Sequence, residues 1–566
     1  MNHLLRSLTL NSGAAGEAEG LTIQPGTVTV FVGPNHSGKS LLLREIKEDM
    51  PRLEPYLGKK VLKKLAFNSL DPQLQESLRD ELKSDISESA VDGQQMVLVR
   101  IRGSGDRQIF KHEFDKIITQ LDSVESLRHA LHPWGHNQVN HLSLLLGGTE
   151  RLTLLNETGR GNLRDRPMSI HGVLFQDDAR RAEFQRITKD AFGWYFEIDP
   201  TGDSNFRVAI SDVPIPASLE RSLSNEALDF FRKCSGIEIT SDGVRAYSGM
   251  VAAVIASEAK MVLIDEPEAF LHPALSTSLA KELGQQAAKR KIQLMVATHS
   301  APFVLGCVQA AIDLTVVRLT YKQGHATSRL LSQPDLAPLM RDPLLRSSGA
   351  INGIFYEAVV VTEADRDRAF YDEINHRNVT FSNEGIRDCL FLNAQNWQTT
   401  ARIVGPLRRL GVAAAAIIDL DIVSNDKSAS FQTLLEAAAI PEATRRSLGQ
   451  LRGDLRTKVG DRKEELKRNG VSILTGPDRQ DMDNLSRHLA EYGIFLVPVG
   501  EVEGWLRRLD RTSQEKRNWL GETFEAMGQD STVDSYVKPS ADDVWEFMRS
   551  VGRWLSNPAR LGIPES

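Results

Sequence analysis

Two groups of residues have types and spacings suited to chemistry on phosphates. The first starts with Gly33-Pro34-Asn35-His36-Ser37-Gly38-Lys39-Ser40, a GxxxxGKS sequence between the β-rich run TVTVFV (27–32) and the helical pattern SLLLREIKEDM. In that context loop N–H groups cradle phosphates, Lys39 reaches the β/γ oxygens and Ser40 ligates Mg²⁺. The apolar run MVLI (261–264) then ends in Asp265, an acid suited to holding the ion, and Glu266, a base that can polarise water. QLMVATHS (293–300) puts His299 at the end of a further strand, and Tyr247-Ser248-Gly249-Met250 stands just before an Ala-rich helix.

The second group is acidic. VVVTEADRDRAFY (359–371) carries Glu363 just beyond a strand, with Asp367 four residues on, and AIIDLDIV (416–423) carries Asp419 and Asp421. Carboxylates two residues apart on an extended segment point to one side, so two strand ends are expected to converge four acids on one spot. Such acids repel one another unless a hard cation, Mg²⁺, Mn²⁺ or Ca²⁺, neutralises them. Two such ions about 4 Å apart serve phosphodiester cleavage by in-line attack.

The elements that must hold these groups read as two α/β units. Strands TVTVFV, MVLI and QLMVAT alternate with helices and imply a parallel sheet covered on both faces, over residues 1–335. GGTERLTLLN (147–156) reads as a sheet edge within a long insertion. Residues 336–355, within the Pro-, Gly- and Ser-rich stretch 332–353, read as a linker. The β/α rhythm restarts over 356–510, with strands AVVVTEA, CLFLNA, AAAAIIDLD and GIFLVPV, interrupted by a charged helical insertion at 424–485. Residues 511–566 read as a helical tail.

The 566 residues include 68 basic and 75 acidic side chains, a net charge of −7, which argues against a uniformly basic nucleic-acid binder but leaves room for a local basic channel. Three scattered cysteines, Cys234, Cys307 and Cys389, make no disulfide framework and point to a reducing compartment. With no signal-peptide core and no long apolar run, a cytoplasmic location without membrane contact is expected.

In this order the first group resembles ABC-type ATPases of the SMC-like branch, on the Gly-Pro-Asn start of the loop and the run EPEAFLHP (266–273). The resemblance implies ATP with Mg²⁺, sandwiched between two protomers. Ser248 and Gly249 would then face the phosphates held by the partner, His299 would sense the γ-phosphate, and Gln176 is a candidate Q-loop glutamine. The acidic group resembles the Toprim fold, whose pattern E-G-x-(S/T)-D followed by D-x-D is varied here by Ala364 and Arg366. An ABC ATPase followed by a Toprim unit resembles the OLD (overcoming lysogenization defect) family of ATP-dependent nucleases. That resemblance implies Mg²⁺ or Mn²⁺ held by Glu363, Asp367, Asp419, Asp421 and Glu503, the last in PVGEVEGWL (498–506) beside Glu501, with Lys538 as a candidate lysine near the scissile phosphate. It further implies a DNA endonuclease in anti-phage defence, a homodimer or higher oligomer through the ATPase domains, and in some relatives an accessory helicase or a retron reverse transcriptase with its DNA.

A non-cleaving ATPase that binds DNA and signals to a partner is the alternative reading. An SMC-type DNA organiser is weakened by the lack of a long heptad pattern between Lys39 and Ser248. A topoisomerase lacks a recognisable tyrosine-transesterification domain, and a transporter ATPase leaves the C-terminal unit unexplained. Two further signals stand apart. Arg452, Arg456, Lys463 and Lys467 are spaced to share a helical face, as a solvated surface or a track for DNA phosphates. His129, His132, His136 and His141 cluster without a spacing that matches a common zinc site, and read as a polar loop.

Overall fold

The apolar runs become strands whose residues are buried on both faces. A computed structural model describes the chain except residues 1–2, 15–18, 55–57, 85, 92–93, 102–104, 132–133, 165–166, 168, 323, 510–517 and 564–566. The chain forms two units, Met1–Val32 with His36–Leu330, and Leu331–Ser566, with which Gly33–Asn35 are grouped.

The first unit is built on β1 (Val28–Val32), α1 (Lys39–Asp49), β2 (Ser143–Leu146), α2 (Asp242–Ala256), β3 (Met261–Asp265), α3 (Pro273–Arg290), β4 (Gln293–Ala297), β5 (Leu314–Lys322) and β6 (His325–Leu331). Its sheet has the order β6-β5-β1-β4-β3-β2. The pairs β5/β1, β1/β4, β4/β3 and β3/β2 are parallel. All five residues of β1 are buried, as a strand covered on both faces requires. Register puts Phe31 level with Ala297, and Ala297 level with Asp265. Hence the loop after β1, the acids after β3 and the histidine after β4 leave the same edge of the sheet, where open α/β sheets bind ligands. GGTERLTLLN is no sheet edge: past β2 it turns through a 3₁₀ helix at Glu150–Leu152.

The second unit contains β7 (Ala358–Thr362), α4 (Asp365–Arg377), β8 (Cys389–Asn393), α5 (Trp397–Arg409), β9 (Ala413–Ile418), α6 (Glu442–Val459), α7 (Lys463–Asn469), β10 (Ile494–Leu496), α8 (Trp519–Met527) and α9 (Asp543–Ser556). The sheet order is β8-β7-β9-β10, and every neighbouring pair is parallel. The expected tail is part of the core, because Val544, Trp545, Met548 and Val551 of α9 pack with Val360, Phe370 and Tyr371.

The stretch expected as a linker is folded as well. It forms helices at Gln333–Arg341 and Pro343–Ser347 and a 3₁₀ helix at Ala350–Phe355, with Leu336, Leu339, Leu345 and Ile354 buried. Pro334 and Pro343, read as breakers, stand in first helical turns, where no N–H is needed. The basic stripe also dissolves. The chain breaks between α6 and α7 at Gly460, whose φ is 51°, and Arg452 is buried, donating to the carbonyls of Ile422 and Asn425 at 2.7 and 2.8 Å.

Candidate functional site

In the first unit, the loop after β1 turns sharply, with φ of 140° at Gly33, 61° at His36 and 94° at Gly38. Gly38 opens α1, and a Cβ there would lie 2.9 Å from the Val61 side chain in a backbone state that side chains disfavour. Lys39 is buried and its ammonium donates to Ser37 Oγ at 3.2 Å. Ser40 Oγ donates to Asp265 Oδ1 at 2.8 Å, so the two groups expected to share Mg²⁺ already touch.

Glu266 follows with φ of 50°, its N–H donating to Ala297 O at 2.8 Å. His299 Nε2 lies 3.8 Å from Glu266 Oε1, beyond a direct hydrogen bond. Burial, and then the Lys39 charge, lower the His299 pKa to about 4, so the imidazole is neutral at pH 7. Its backbone N–H donates to Glu268 Oε1 at 2.7 Å. Glu268 was not singled out in the sequence. Burial raises its pKa, and its second oxygen has no hydrogen-bond partner.

Three expected residues of this unit lie elsewhere. Ser248 and Gly249 sit inside α2 with Ser248 fully buried, so neither faces a ligand. The N-terminus of that helix, the end that favours an anion, is formed by Ser241, Asp242 and Gly243 instead, with the Ser241 side chain capping the Val244 N–H. The sequence reading singled out only Ser248-Gly249, because the helix expected to begin after Met250 in fact begins at Asp242. Gln176 is exposed at the end of the helix Ile170–Gln176 and donates to Leu163 O at 3.3 Å. The turn leaving β2 alongside β3 carries Gly147–Arg151.

In the second unit, Glu363 follows β7, and Asp419 follows the adjacent strand β9. The Asp419 N–H donates to Glu363 Oε1 at 2.7 Å. The extended-segment argument fails for the pair, since β9 stops at Ile418 and Asp421 opens a helical turn, Asp421–Ser424. Asp367 lies in the first turn of α4 and accepts the Ala364 N–H at 3.0 Å.

Burial raises the pKa of both Glu363 and Asp419, and the repulsion of neighbouring acids adds to it. Asp367 is pushed up to about 6 by burial, although Arg366 opposes this. Asp421 is raised by burial, with Lys467 opposing.

Two protein cations enter this cluster. Arg366 Nη1 lies 3.2 Å from Glu503 Oε1, and Lys467 Nζ lies 3.0 Å from Glu501 Oε1. Arg366 was read only as a departure from the Toprim pattern and Lys467 only as part of the basic stripe, and neither pairing was foreseen. The exposed Lys538 stands 6.0 Å from the Phe381 ring, with none of the cluster's acids paired to it. The donors suit a hard cation: Asp421 Oδ1 is buried without a hydrogen-bond partner, and neither oxygen of Glu503 has one. Among the described residues, however, no three acidic, histidine or cysteine side chains are gathered to hold one ion. That covers the histidine cluster too, apart from His132, which lies outside the described residues.

Residues 181–306 match the family described as "AAA domain, putative AbiEii toxin, Type IV TA system". No curated protein matches the chain. Among solved structures, the SMC head domain from Thermotoga maritima is 15% identical, with a TM-score of 0.29, over 58% of this chain and 99% of that one. The Smc head domain with an extended coiled coil, bound to the C-terminal domain of ScpA derived from Pyrococcus furiosus, is 11% identical with a TM-score of 0.32, over 60% and 99%. The cbiO1 protein from Clostridium perfringens, part of the ABC transporter complex cbiONQ, is 12% identical with a TM-score of 0.29, over 62% and 98%. The matched segment contains α2, Asp265, Glu266 and His299, and the loop after β1 meets it at the sheet edge. The first unit is an ATP-binding P-loop ATPase domain. Among the described residues no helix is long and apolar enough to cross a membrane.

Proposed function

We propose that the chain couples an ABC/SMC-like ATPase to a Toprim-type nuclease, as an ATP-dependent or ATP-regulated DNA endonuclease of the OLD kind acting in anti-phage defence. One observation carries the reading: Glu363, Asp419 and Asp421 follow the ends of the adjacent parallel strands β7 and β9, with Asp419 bonded through its N–H to Glu363. The nucleotide loop belongs to a different sheet.

In the ATPase, Lys39 would neutralise the β/γ phosphates, Ser40 and Asp265 would hold Mg²⁺, Glu266 would polarise water, and the neutral His299 would meet the γ-phosphate. Two protomers enclose the nucleotide, each offering the Ser241–Gly243 helix end to the other's phosphates. At the carboxylates, Glu363, Asp367, Asp419 and Asp421 would have to draw closer together than they stand here to hold Mg²⁺ or Mn²⁺, with Glu503 joining them on release from Arg366. Such an ion supplies a Lewis acid that activates water and neutralises the leaving oxygen.

Supercoiled plasmid incubated with the purified protein in Mg²⁺ or Mn²⁺, with and without ATP, tests this against Asp419→Ala/Asp421→Ala. Nicking or linearisation by the wild type alone supports the nuclease. Intact plasmid in every lane, with ATP still hydrolysed, supports the second reading, an ATPase that binds DNA without cutting. The pairing of Arg366 and Lys467 with the cluster's acids favours that alternative.

A further inference from the structure

Glu266 is held by its backbone rather than its side chain. The carboxylate is half exposed, and the neutral His299 imidazole approaches it only to 3.8 Å. What fixes its direction is an uncommon main-chain state, φ of 50°, in a residue that is not glycine. Three bonds maintain that state: the Glu266 N–H donates to Ala297 O at 2.8 Å, and the Glu266 carbonyl accepts both the Ala269 N–H at 3.0 Å and Nη1 of Arg151.

Arg151 is 1% exposed, in the 3₁₀ turn that follows β2, the neighbour of β3 in the sheet. Its Nε donates to Gly148 O at 2.7 Å, so the guanidinium is anchored on its own turn and reaches out to Glu266. Burial lowers the Arg151 pKa, opposed only in part by Glu268, Glu266 and Asp265, which all lie within its electrostatic reach. A planar guanidinium with two fixed donors suits the bridging of two carbonyls, whereas a lysine ammonium is a single point.

The same turn is clasped by α2. A Cβ on Gly249 would lie 2.6 Å from Arg151 O, so that position takes a glycine for the sake of this contact. Arg245 of α2 donates to Leu152 O at 2.8 Å. We propose that Arg151 is a positioning residue for ATP hydrolysis: it holds the Glu266 peptide in its left-handed state and ties it, through the 150–152 turn, to α2. A shift of the helix end at Ser241 is thereby felt at Glu266.

The inference rests on Glu266 acting on the attacking water, which Glu266→Gln tests alone: hydrolysis that survives that change refutes the base, whatever Arg151 does. With the base established, full-length Arg151→Met is expected to lose at least tenfold in kcat, while KM and the affinity for a fluorescent ATP analogue stay within about threefold. On a Glu266→Gln background it is expected to lose less than twofold more, because both changes remove one function. A kcat near wild type, an equal loss of nucleotide affinity, or a full further loss on that background overturns the proposal. Should Arg151→Met fail to fold, Arg151→Lys and Gly249→Ala are read by the same criteria. The first keeps the charge but not the bridge, and the second displaces the turn without touching the guanidinium.

Discussion

Arg366 and Glu503 form an ion pair of 3.2 Å at the edge of a cluster of carboxylates, so a protein cation stands where the Toprim pattern has a small hydroxyl residue. With 16% of its side chain exposed, Glu503 has no hydrogen-bond partner to replace Arg366. Arg366→Ser is therefore expected to destabilise the metal-free protein by about 1 kcal/mol, since it strands a mostly buried carboxylate. Divalent ions then have an additional ligand. Melting curves in EDTA and in Mn²⁺ check this: the gain from Mn²⁺ should be larger for Arg366→Ser than for wild type. An equal gain in both would mean that Glu503 takes no part in holding the ion.

The acids also set a pH dependence opposite to that of paired carboxylates. Asp367, pushed up to about 6 by burial, binds its proton more tightly folded than unfolded, where about 4 is usual. The native state therefore carries more protons through this window, and stability falls as pH rises from about 4 through 6. Glu363 and Asp419 are shifted in the same direction. In EDTA, urea unfolding at pH 5.5 should show a second unit more stable than at pH 7.5, by about 1 kcal/mol from Asp367 alone, since its full contribution of about 3 kcal/mol, at 1.36 kcal/mol per pK unit, is present only at about pH 4 and below. Mg²⁺ should flatten the difference. A stability that rises with pH in EDTA would contradict the burial of these groups.

Much of this was legible because strand ends and phosphate loops are local patterns. The loop Gly33–Ser40, the Asp265-Glu266 pair, His299, and the acids Glu363 and Asp419 each follow a buried apolar run. Their sheet register was not readable, yet parallel strands of matched length bring their ends to one edge. What escaped were contacts made by long side chains from distant segments. Lys467 looked like a stripe residue until α7 brought it to Glu501, and Arg452 looked solvated although it fills a gap under the turn after β9. Proline spacing misled at 332–353, since prolines open helices as readily as they interrupt them.

Ser248, singled out from the sequence, and Ser241, at the helix end, separate cleanly by substitution. Ser248 Oγ is buried without a hydrogen-bond partner, so Ser248→Ala removes an unsatisfied group and should leave the melting temperature unchanged or slightly raised. ATP turnover should stay within twofold. Ser241 caps α2 through its side chain, so Ser241→Arg costs about 1 kcal/mol of stability. It also places a bulky cation at the helix end proposed to face the partner's nucleotide. Turnover should fall at least tenfold, and ATP-induced dimers should disappear in light scattering. Loss of turnover in Ser248→Ala alone would restore the original reading of Ser248 and Gly249.

Arg408 makes the last case, in which a charge acts purely through carbonyls. It is fully buried, and its guanidinium donates to Ala414 O at 2.9 Å, Tyr492 O at 2.8 Å, Gly562 O at 3.1 Å, and Ala438 O and Gly493 O at 3.3 Å. The Trp554 ring of α9 lies 4.9 Å away. Burial, and then the charge of Arg560, bring its pKa down to about 9. One side chain therefore ties α5 to β9, to the start of β10 and to the chain's last turn, joining segments whose sequence separation hid the link. Arg408→Met fills similar volume but takes a donor from five carbonyls, of which Gly493 O keeps the Ala416 N–H at 2.9 Å, and each group left stranded costs about 1–3 kcal/mol when water cannot reach it. Partial relaxation brings the expected loss to about 3 kcal/mol or more in urea unfolding of the second unit. ATP turnover by the P-loop domain should persist in the soluble fraction. A loss below about 1 kcal/mol would show that the carbonyls find water or each other once the guanidinium is gone.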